Sequence, residues 1–290
     1  MSVTARSIVV ENLTYSYGDL IAVDHVNFTV GKGEILGFLG PNGAGKTTTQ
    51  KMLTGQLLPK EGRASLLGFD VAAQTLEVQS RIGVCFEQTN LYEQMTAIDN
   101  LRLFADLFGV PDFDGYALLK RVGLPGREKD KVSSYSKGMK QRLMVARSMV
   151  NRPEILFMDE PTSGLDPVSS EAIRQIILEE RDRGATVFLT THDMWEADKL
   201  CDRVAFMDSG KIAALDTPRN LKQKYGKRSL VAEIAAAGGR LDKREITLDA
   251  EGTAEEVRDL FAGGKVVTIH SEEATLEDIF IKVTGRRLTV

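Results

Sequence analysis

The stretch Glu34-Ile-Leu-Gly-Phe-Leu39-Gly40-Pro41-Asn42-Gly43-Ala44-Gly45-Lys46-Thr47-Thr48 decides how this chain is read. Its first six residues form a short apolar run of the kind buried on both faces of a parallel sheet. Residues 40–47 then fit the pattern G-x-x-x-x-G-K-[ST] and lead into a helical segment, the strand, loop and helix context that the pattern requires. Small residues let successive backbone N–H groups curl round an anionic oxygen, and the following helix N-terminus adds about half a positive charge. In such a loop Lys46 is expected to reach the β- and γ-phosphates, and the Thr47 hydroxyl to coordinate Mg²⁺. A nucleoside triphosphate is the implied ligand of Gly40 through Thr48.

Two further runs have the same character, Glu154-Ile-Leu-Phe-Met-Asp159 and Ala185-Thr-Val-Phe-Leu-Thr-Thr191. Each ends in polar residues, and open parallel sheets bind ligands at the carboxyl ends of their strands. An acidic pair at a strand end can simply cap the next turn. Beside a phosphate loop it does more: Asp159 is expected to hold Mg²⁺ through water, and Glu160 to polarise the water that attacks the γ-phosphate. His192, in Thr190-Thr-His-Asp193, ends the third run at the same sheet edge, where its imidazole can bind a γ-phosphate oxygen and sense hydrolysis.

The 290 residues suit about two domains, and 42% hydrophobic with 27% charged residues marks an ordinary globular protein with a sizeable core. Lys and Arg number 37 against 41 Asp and Glu, a net charge of −4 that argues against non-specific binding to nucleic acid or anionic membrane. Cys85 and Cys201, with three histidines, form neither a disulfide framework nor a closed zinc cluster, and read as reduced cytosolic thiols. The N-terminal MSVTARSIVVEN lacks the apolar core of a signal peptide, and no apolar stretch approaches the roughly 18–20 residues needed to span a bilayer. Asn12-Leu13-Thr14 and Asn27-Phe28-Thr29 are therefore read as chance matches to a glycosylation pattern.

Short β-branched runs alternate with longer helical patterns over the first two hundred residues, which predicts α/β construction with a parallel sheet. Residues 89–150 are helical by pattern, and the last helix, near 136–152, carries Met139, Leu143, Ala146 and Val150 on one apolar stripe before Pro153. Another amphipathic helix is predicted over 168–183, with Pro167 at its start, Ile173, Ile176 and Ile177 inward, and Gly184 past its end. After Pro218 the pattern changes to a basic exposed connection, Leu221–Arg228, and a soft Ala/Gly stretch, Ala235–Arg240. A small α/β unit follows, with strands near 229–234, 244–248 and 265–270 and helices near 253–262 and 275–284. Each of those helices opens with a capping-box pattern, Thr253-Ala-Glu-Glu256 and Thr275-Leu-Glu-Asp278. Two domains result, 1–217 and 218–290.

With these parts in this order, residues 5–217 resemble the ATP-binding subunit of an ABC transporter. The resemblance implies a P-loop cassette, with a RecA-like core, an N-terminal antiparallel β-subdomain and a helical signature subdomain, followed here by a small C-terminal α/β domain. Gly40–Thr47 is similar to Walker A and Ile155–Glu160 to Walker B; Glu160 matches the catalytic base and His192 the switch histidine. Gln88, in Cys85-Phe-Glu-Gln88, matches the Q-loop glutamine that touches Mg²⁺ and relays to the membrane partner. Ser163-Gly-Leu-Asp166 matches the D-loop, which gives Asp166 a place at the nucleotide. Tyr17, 29 residues before Lys46, has the spacing of the aromatic that stacks on adenine, with Tyr15 as the competing candidate. Tyr135-Ser136-Lys137-Gly138-Met139 stands where the family has LSGGQ: Ser136 and Gly138 are retained for phosphate, while Lys137 and Met139 depart from the pattern.

The Tyr-Ser-x-Gly-Met form followed by Lys140-Gln-Arg142 is similar to exporter ATPases paired with separate permeases, including drug and peptide-antibiotic exporters. Ala274-Thr-Leu-Glu-Asp-Ile-Phe280 with Thr284-Gly285 resembles their C-terminal extension. The implied cofactors are ATP and Mg²⁺. The implied partners are a second copy of the chain, sandwiching two ATP molecules, and an integral-membrane permease docking near Asn90–Thr96 that holds the protein at the inner face of the cell membrane. The cargo implied is a drug, antibiotic, lipid or polysaccharide. A soluble ABC ATPase acting on nucleic acid or the ribosome is the alternative, but such proteins commonly carry two cassettes or a long coiled-coil insertion. Here one cassette has 47 residues between Gln88 and Ser136, without sustained heptads or excess positive charge.

Overall fold

The computed structural model describes residues 6–235, 240–248, 252–263 and 266–286. The chain forms two compact units, divided between Leu215 and Asp216. In the first, β1 (Arg6–Tyr17) and β2 (Leu20–Gly31) form a long antiparallel pair, followed by β3 (Ile35–Leu39) and α1 (Lys46–Leu53). Next come β4 (Glu61–Leu66), β5 (Phe69–Asp70), the short α2 (Thr75–Gln79) and β6 (Ile82–Cys85). Helices α3 (Ala97–Phe108), α4 (Gly115–Arg121) and α5 (Lys137–Ser148) lead to β7 (Ile155–Asp159). The unit closes with α6 (Pro167–Asp182), β8 (Thr186–Thr191), α7 (Met194–Leu200), β9 (Arg203–Asp208) and β10 (Lys211–Asp216).

Two sheets share this unit. One runs β2-β1-β4-β5 and is antiparallel; the other runs β10-β9-β3-β8-β7-β6, with β9, β3, β8, β7 and β6 parallel to one another. The three apolar runs are β3, β7 and β8, and every residue in them is buried. They lie side by side, so the polar residues that follow them meet at one edge. Between the sheets Ile8, Leu13, Val23 and Val30 pack with Phe28, Phe38, Phe157 and Phe188 and with Met52 and Leu53 of α1. Phe188 has Phe38 at 4.9 Å and Phe157 at 5.5 Å between ring centroids, all tilted, as aromatic quadrupoles prefer.

Helix α6 begins as its sequence predicts: Asp166 caps it by accepting from Ser169 N at 2.9 Å, and Pro167 takes the first position, where no N–H is needed. Helix α5 departs from expectation. It ends at Ser148, and from Leu143 to Ser148 every residue is buried, so it presents no single apolar stripe. That half is packed among α3, α4, α6 and β6, and periodicity vanishes where a helix has no solvent face.

The second unit holds α8 (Pro218–Tyr225), β11 (Arg228–Ala235), β12 (Leu241–Thr247), α9 (Thr253–Ala262), β13 (Val266–Glu273) and α10 (Leu276–Thr284). Its antiparallel sheet has the order β12-β11-β13, and Ala232, Ile246 and Leu260 form its small core. The segment expected as an exposed basic connection is largely helix α8, capped by Thr217 with Pro218 at its first position. Only Leu221 of that helix is buried, too weak a pattern to read as amphipathic. The Thr275 capping box forms, with Asp278 bonded back to Thr275 N. The Thr253 box does not: Gly252 is the cap, and the Thr253 hydroxyl donates to Thr247 O at 2.7 Å instead. Strand β12 starts three residues before the predicted 244. The N-terminal residues 1–5 and residues 236–239 of the Ala/Gly stretch lie outside the described residues.

Among the described residues no helix is long and apolar enough to cross a membrane. Cys85 and Cys201 are free and buried; burial pushes the Cys85 thiol up to about 12 and raises Cys201 as well, which makes both inert. Asn12 and Asn27 bond to each other across the β1–β2 pair, with Asn27 Nδ2 donating to Asn12 Oδ1 at 3.0 Å. The aromatic cluster supports a stability prediction. Phe188→Ala should cost about 3–5 kcal/mol in urea unfolding, whereas Val168→Ala, at an 80% exposed position, should stay within about 0.5 kcal/mol.

Candidate nucleotide site

After Leu39 the chain turns through Gly40–Gly45 between the backbones of two other strands. A Cβ on Gly40 would lie 2.2 Å from Met207 O of β9, and one on Gly45, at φ +106°, 2.3 Å from Ala22 O of β2. Glycine at these two positions therefore answers a close approach of neighbouring backbone as well as the loop's own curvature. The turn delivers Lys46 to the start of α1 with only 6% of its surface exposed. Its ammonium donates to Gly40 O at 2.6 Å and Pro41 O at 3.3 Å, and lies 3.9 Å from Glu160 Oε1. Burial pushes the Lys46 pKa down, opposed by the charges of Glu160, Asp159 and Glu87.

Asp159 closes β7 and is 3% exposed. One oxygen accepts from the Thr190 hydroxyl of β8, the other from Thr47 Oγ1 at 3.4 Å. The acidic pair is therefore more than a turn cap, because Asp159 spends its oxygens on hydroxyls from two other elements. Glu160 leaves the strand at φ +48°, in the left-handed region, with its N–H bonded to Thr190 O at 3.0 Å. Such a backbone costs a non-glycine residue of order 1–3 kcal/mol. It swings the side chain to His192, whose Nδ1 is 2.8 Å from Glu160 Oε2. Burial raises the Glu160 pKa above the usual carboxylate range, and His192 and Lys46 pull it part of the way back. With Glu160 ionised, Nδ1 carries a proton and donates to it, which leaves Nε2 facing away from the carboxylate.

An open cavity of about 220 Å³ adjoins the loop, lined by Tyr17, Leu20 and Ala22 on one side and residues 41–48 on the other. Tyr17 is 47% exposed and meets Tyr15 edge to face at 5.0 Å. Tyr15 instead packs against the core and has Lys60 above its ring at 5.9 Å. Of the two candidates, Tyr17 faces the loop.

Ser136 caps α5, accepting from Met139 N at 3.2 Å, and a Cβ on Gly138 would stand 3.1 Å from Ser169 Oγ of α6. Asp166 is occupied in capping α6, and its bonds to Ser169 hold its pKa down. Gln88 is exposed on the loop after β6. Among the described residues no hydrogen bond joins Ser136, Gly138, Asp166 or Gln88 to Gly40–Thr48.

Four participants escaped the sequence reading. Thr190 positions Asp159, and only the polar tail of the third apolar run hinted at it. Glu87 lies close enough to Lys46 to stabilise its charge, and Leu20 lines the cavity beside Tyr17; neither carries a motif. Glu196 is fully buried in α7 and accepts from Thr162 at 2.8 Å and Thr191 at 3.3 Å, tying the turn after Glu160 to the strand before His192. Its place among the inward residues of α7 was the available signal.

Residues 23–163 match the family model described as ABC transporter. The chain is 46% identical, over 97% of its length and 94% of the relative's, to a fluoroquinolones export ATP-binding protein of Mycobacterium tuberculosis. It is 30% identical, over 96% of its length and 98% of the relative's, to a linearmycin resistance ATP-binding protein of Bacillus subtilis. It superposes with a TM-score of 0.67 and 25% identity on a dimeric ATP-binding cassette bound to ADP and phosphate, covering 72% of this chain and 98% of that one. A buried lysine in a glycine-lined loop, facing paired carboxylates and a histidine on the edge of a parallel sheet, fits these likenesses, and the chain belongs to the ABC transporter family as an ATP-binding protein.

Proposed function

We propose that this chain is the ATPase of an exporter, in which Glu160 activates the attacking water and two copies close on ATP to drive a separate permease. The observation that carries the reading is the contact of Glu160 with both His192 and Lys46 at the carboxyl ends of β7 and β8. Residues 1–217 form the nucleotide-binding domain in this reading, with the helical part near 89–150, and 218–290 an accessory domain.

Each side chain has a definite task. Lys46, now satisfied by loop carbonyls, offers a buried positive charge to the β- and γ-phosphates. Tyr17 stacks on the base and Leu20 covers its edge. Glu160 accepts the proton of the attacking water through the oxygen that His192 does not hold, and His192 in its imidazolium form, a donor at both nitrogens, offers Nε2–H to the γ-phosphate. Thr47 and Asp159 present hard oxygens side by side, the donor set that suits Mg²⁺. Mg²⁺ takes most of its ligands from phosphates and water, so two protein oxygens suffice. When bound, the ion would neutralise charge developing on the phosphates. Gln88, on the loop after β6, joins this set in the same reading.

Ser136 and Gly138 lie apart from the chain's own P-loop and, in this reading, meet the ATP held by the second copy. The dimeric relative with ADP and phosphate supports that arrangement. The names of these relatives, fluoroquinolones export and linearmycin resistance, support a drug or antibiotic as cargo, and neither favours a nucleic-acid substrate.

Glu160→Gln should keep ATP affinity but lose roughly 10²–10⁴-fold in turnover and accumulate as an ATP-bound dimer in size-exclusion chromatography; near-normal turnover would move the base elsewhere. Because Glu160 must be ionised to act and its pKa is raised, kcat/KM should fall as pH drops through a value above the usual ~4.3 of glutamate. A pH profile flat down to that value contradicts its role as base. Tyr17→Ala should weaken ATP and GTP binding alike, by roughly 5–150-fold from ~1–3 kcal/mol of stacking, with Tyr17→Trp close to wild type in nucleotide titrations.

A further inference from the structure

We propose that Arg147 is a positioning residue that ties the exposed loop 90–96 to the signature helix α5, so that the two move as one body. The inference rests on the reading above, in which Ser136 at the head of α5 meets the second copy's ATP.

Arg147 lies in the buried half of α5 and is 5% exposed. Its guanidinium spans both oxygens of one loop residue: Nη1 donates to Asn90 O at 2.7 Å, and Nη2 donates to Asn90 Oδ1. The same group lies 4.7 Å above the ring of Phe104 in α3, a cation–π contact that fixes its plane. A desolvated, always charged fork is costly to bury without partners, so this arginine holds the loop wherever the helix stands. Lys140, two turns nearer the signature, adds a second tie, its Nζ lying 2.5 Å from Glu93 Oε1.

The turn that leads into the signature is bound to the same loop. Val132 N donates to Met95 O at 3.0 Å, and Ser133 N to Glu93 O at 2.9 Å. From the other side Asn100, with no exposed surface, bonds Tyr92 through both backbone groups and Thr96 through its carbonyl. The loop is thus stiffened internally and attached at both ends to the element carrying Ser136, while Tyr92 keeps 52% of its surface exposed. A partner pressing on that outer face moves α5, and, by the reciprocity of linkage, ATP captured at Ser136 must order the loop.

That reciprocity allows a test without the permease, using ATP as the probe. Hydrogen exchange followed by mass spectrometry is measured on full-length Glu160→Gln with and without MgATP, alone and combined with Arg147→Lys. Lysine keeps the charge but cannot grip both Asn90 oxygens. In Glu160→Gln, ATP should slow exchange at 136–142 and also at 90–96, the latter by about 5–150-fold, the usual range of coupling between sites. Adding Arg147→Lys should retain the ATP-dependent dimer and the protection at 136–142 while reducing the effect at 90–96 to less than about twofold. Asn90→Ala, in an exposed loop, removes one of the two acceptors and should shift the same readout in the same direction even if the Arg147 variant does not fold. Protection at 90–96 that survives these changes, or that is lost together with protection at 136–142, overturns the tie. Failure of Glu160→Gln to dimerise with ATP overturns the reading beneath it.

Discussion

Everything at the nucleotide site depends on keeping Lys46 charged inside the protein. A buried ammonium is tolerable only where oxygens replace the water it has lost. The structure supplies them from three places: the carbonyls of Gly40 and Pro41, the Glu160 carboxylate at 3.9 Å, and the nearby charge of Asp159. These groups belong to the loop after β3 and to the end of β7, so one side chain sets the distance between two elements. Thr190 then bonds Asp159, and His192 bonds Glu160, which adds the end of β8 to the same arrangement.

The fold makes this possible by removing freedom elsewhere. Strands β3, β7 and β8 are buried along their whole length and pack through Phe38, Phe157 and Phe188. A core packed that tightly does not yield by fractions of an ångström, so the polar residues following each strand stay aligned. At the site itself backbone strain is accepted at Glu160, where a left-handed turn aims the carboxylate at His192. Local rules are expected to fail where function requires it. The helical segment obeys a different logic: Arg147 and Lys140 bind an exposed loop to α5, and Asn100 of α3 stiffens it from the other side, by directional polar contacts rather than by apolar packing.

Much of this was legible in residue order. The alternation of apolar runs with helical patterns gave the parallel sheet, and the spacing of Gly40, Gly45, Lys46 and Thr47 located the phosphate loop. Asp166-Pro167 marked the start of α6, and Thr275 with Asp278 that of α10. Helix α8 was missed because Leu221 alone of its residues is buried. The end of α5 was misplaced because its last turns, Leu143–Ser148, are buried all round and leave no stripe to show where it stops. The Thr253 box failed because Gly252, in the left-handed region, takes the cap position and moves Thr253 into the first turn, where its hydroxyl donates to Thr247 O.

By itself the sequence determined which strands would be buried, where the phosphates would lie, and which side chains could carry acid–base chemistry, because those properties follow from residue type at short spacing. Only the tertiary structure decided that Tyr17 rather than Tyr15 lines the cleft, that Thr190 and Glu87 join the site, and that Arg147 grips Asn90. Each of these joins residues remote in the chain, or turns on which way one side chain faces. Local spacing does not carry that information, since it depends on how sheets and helices pack.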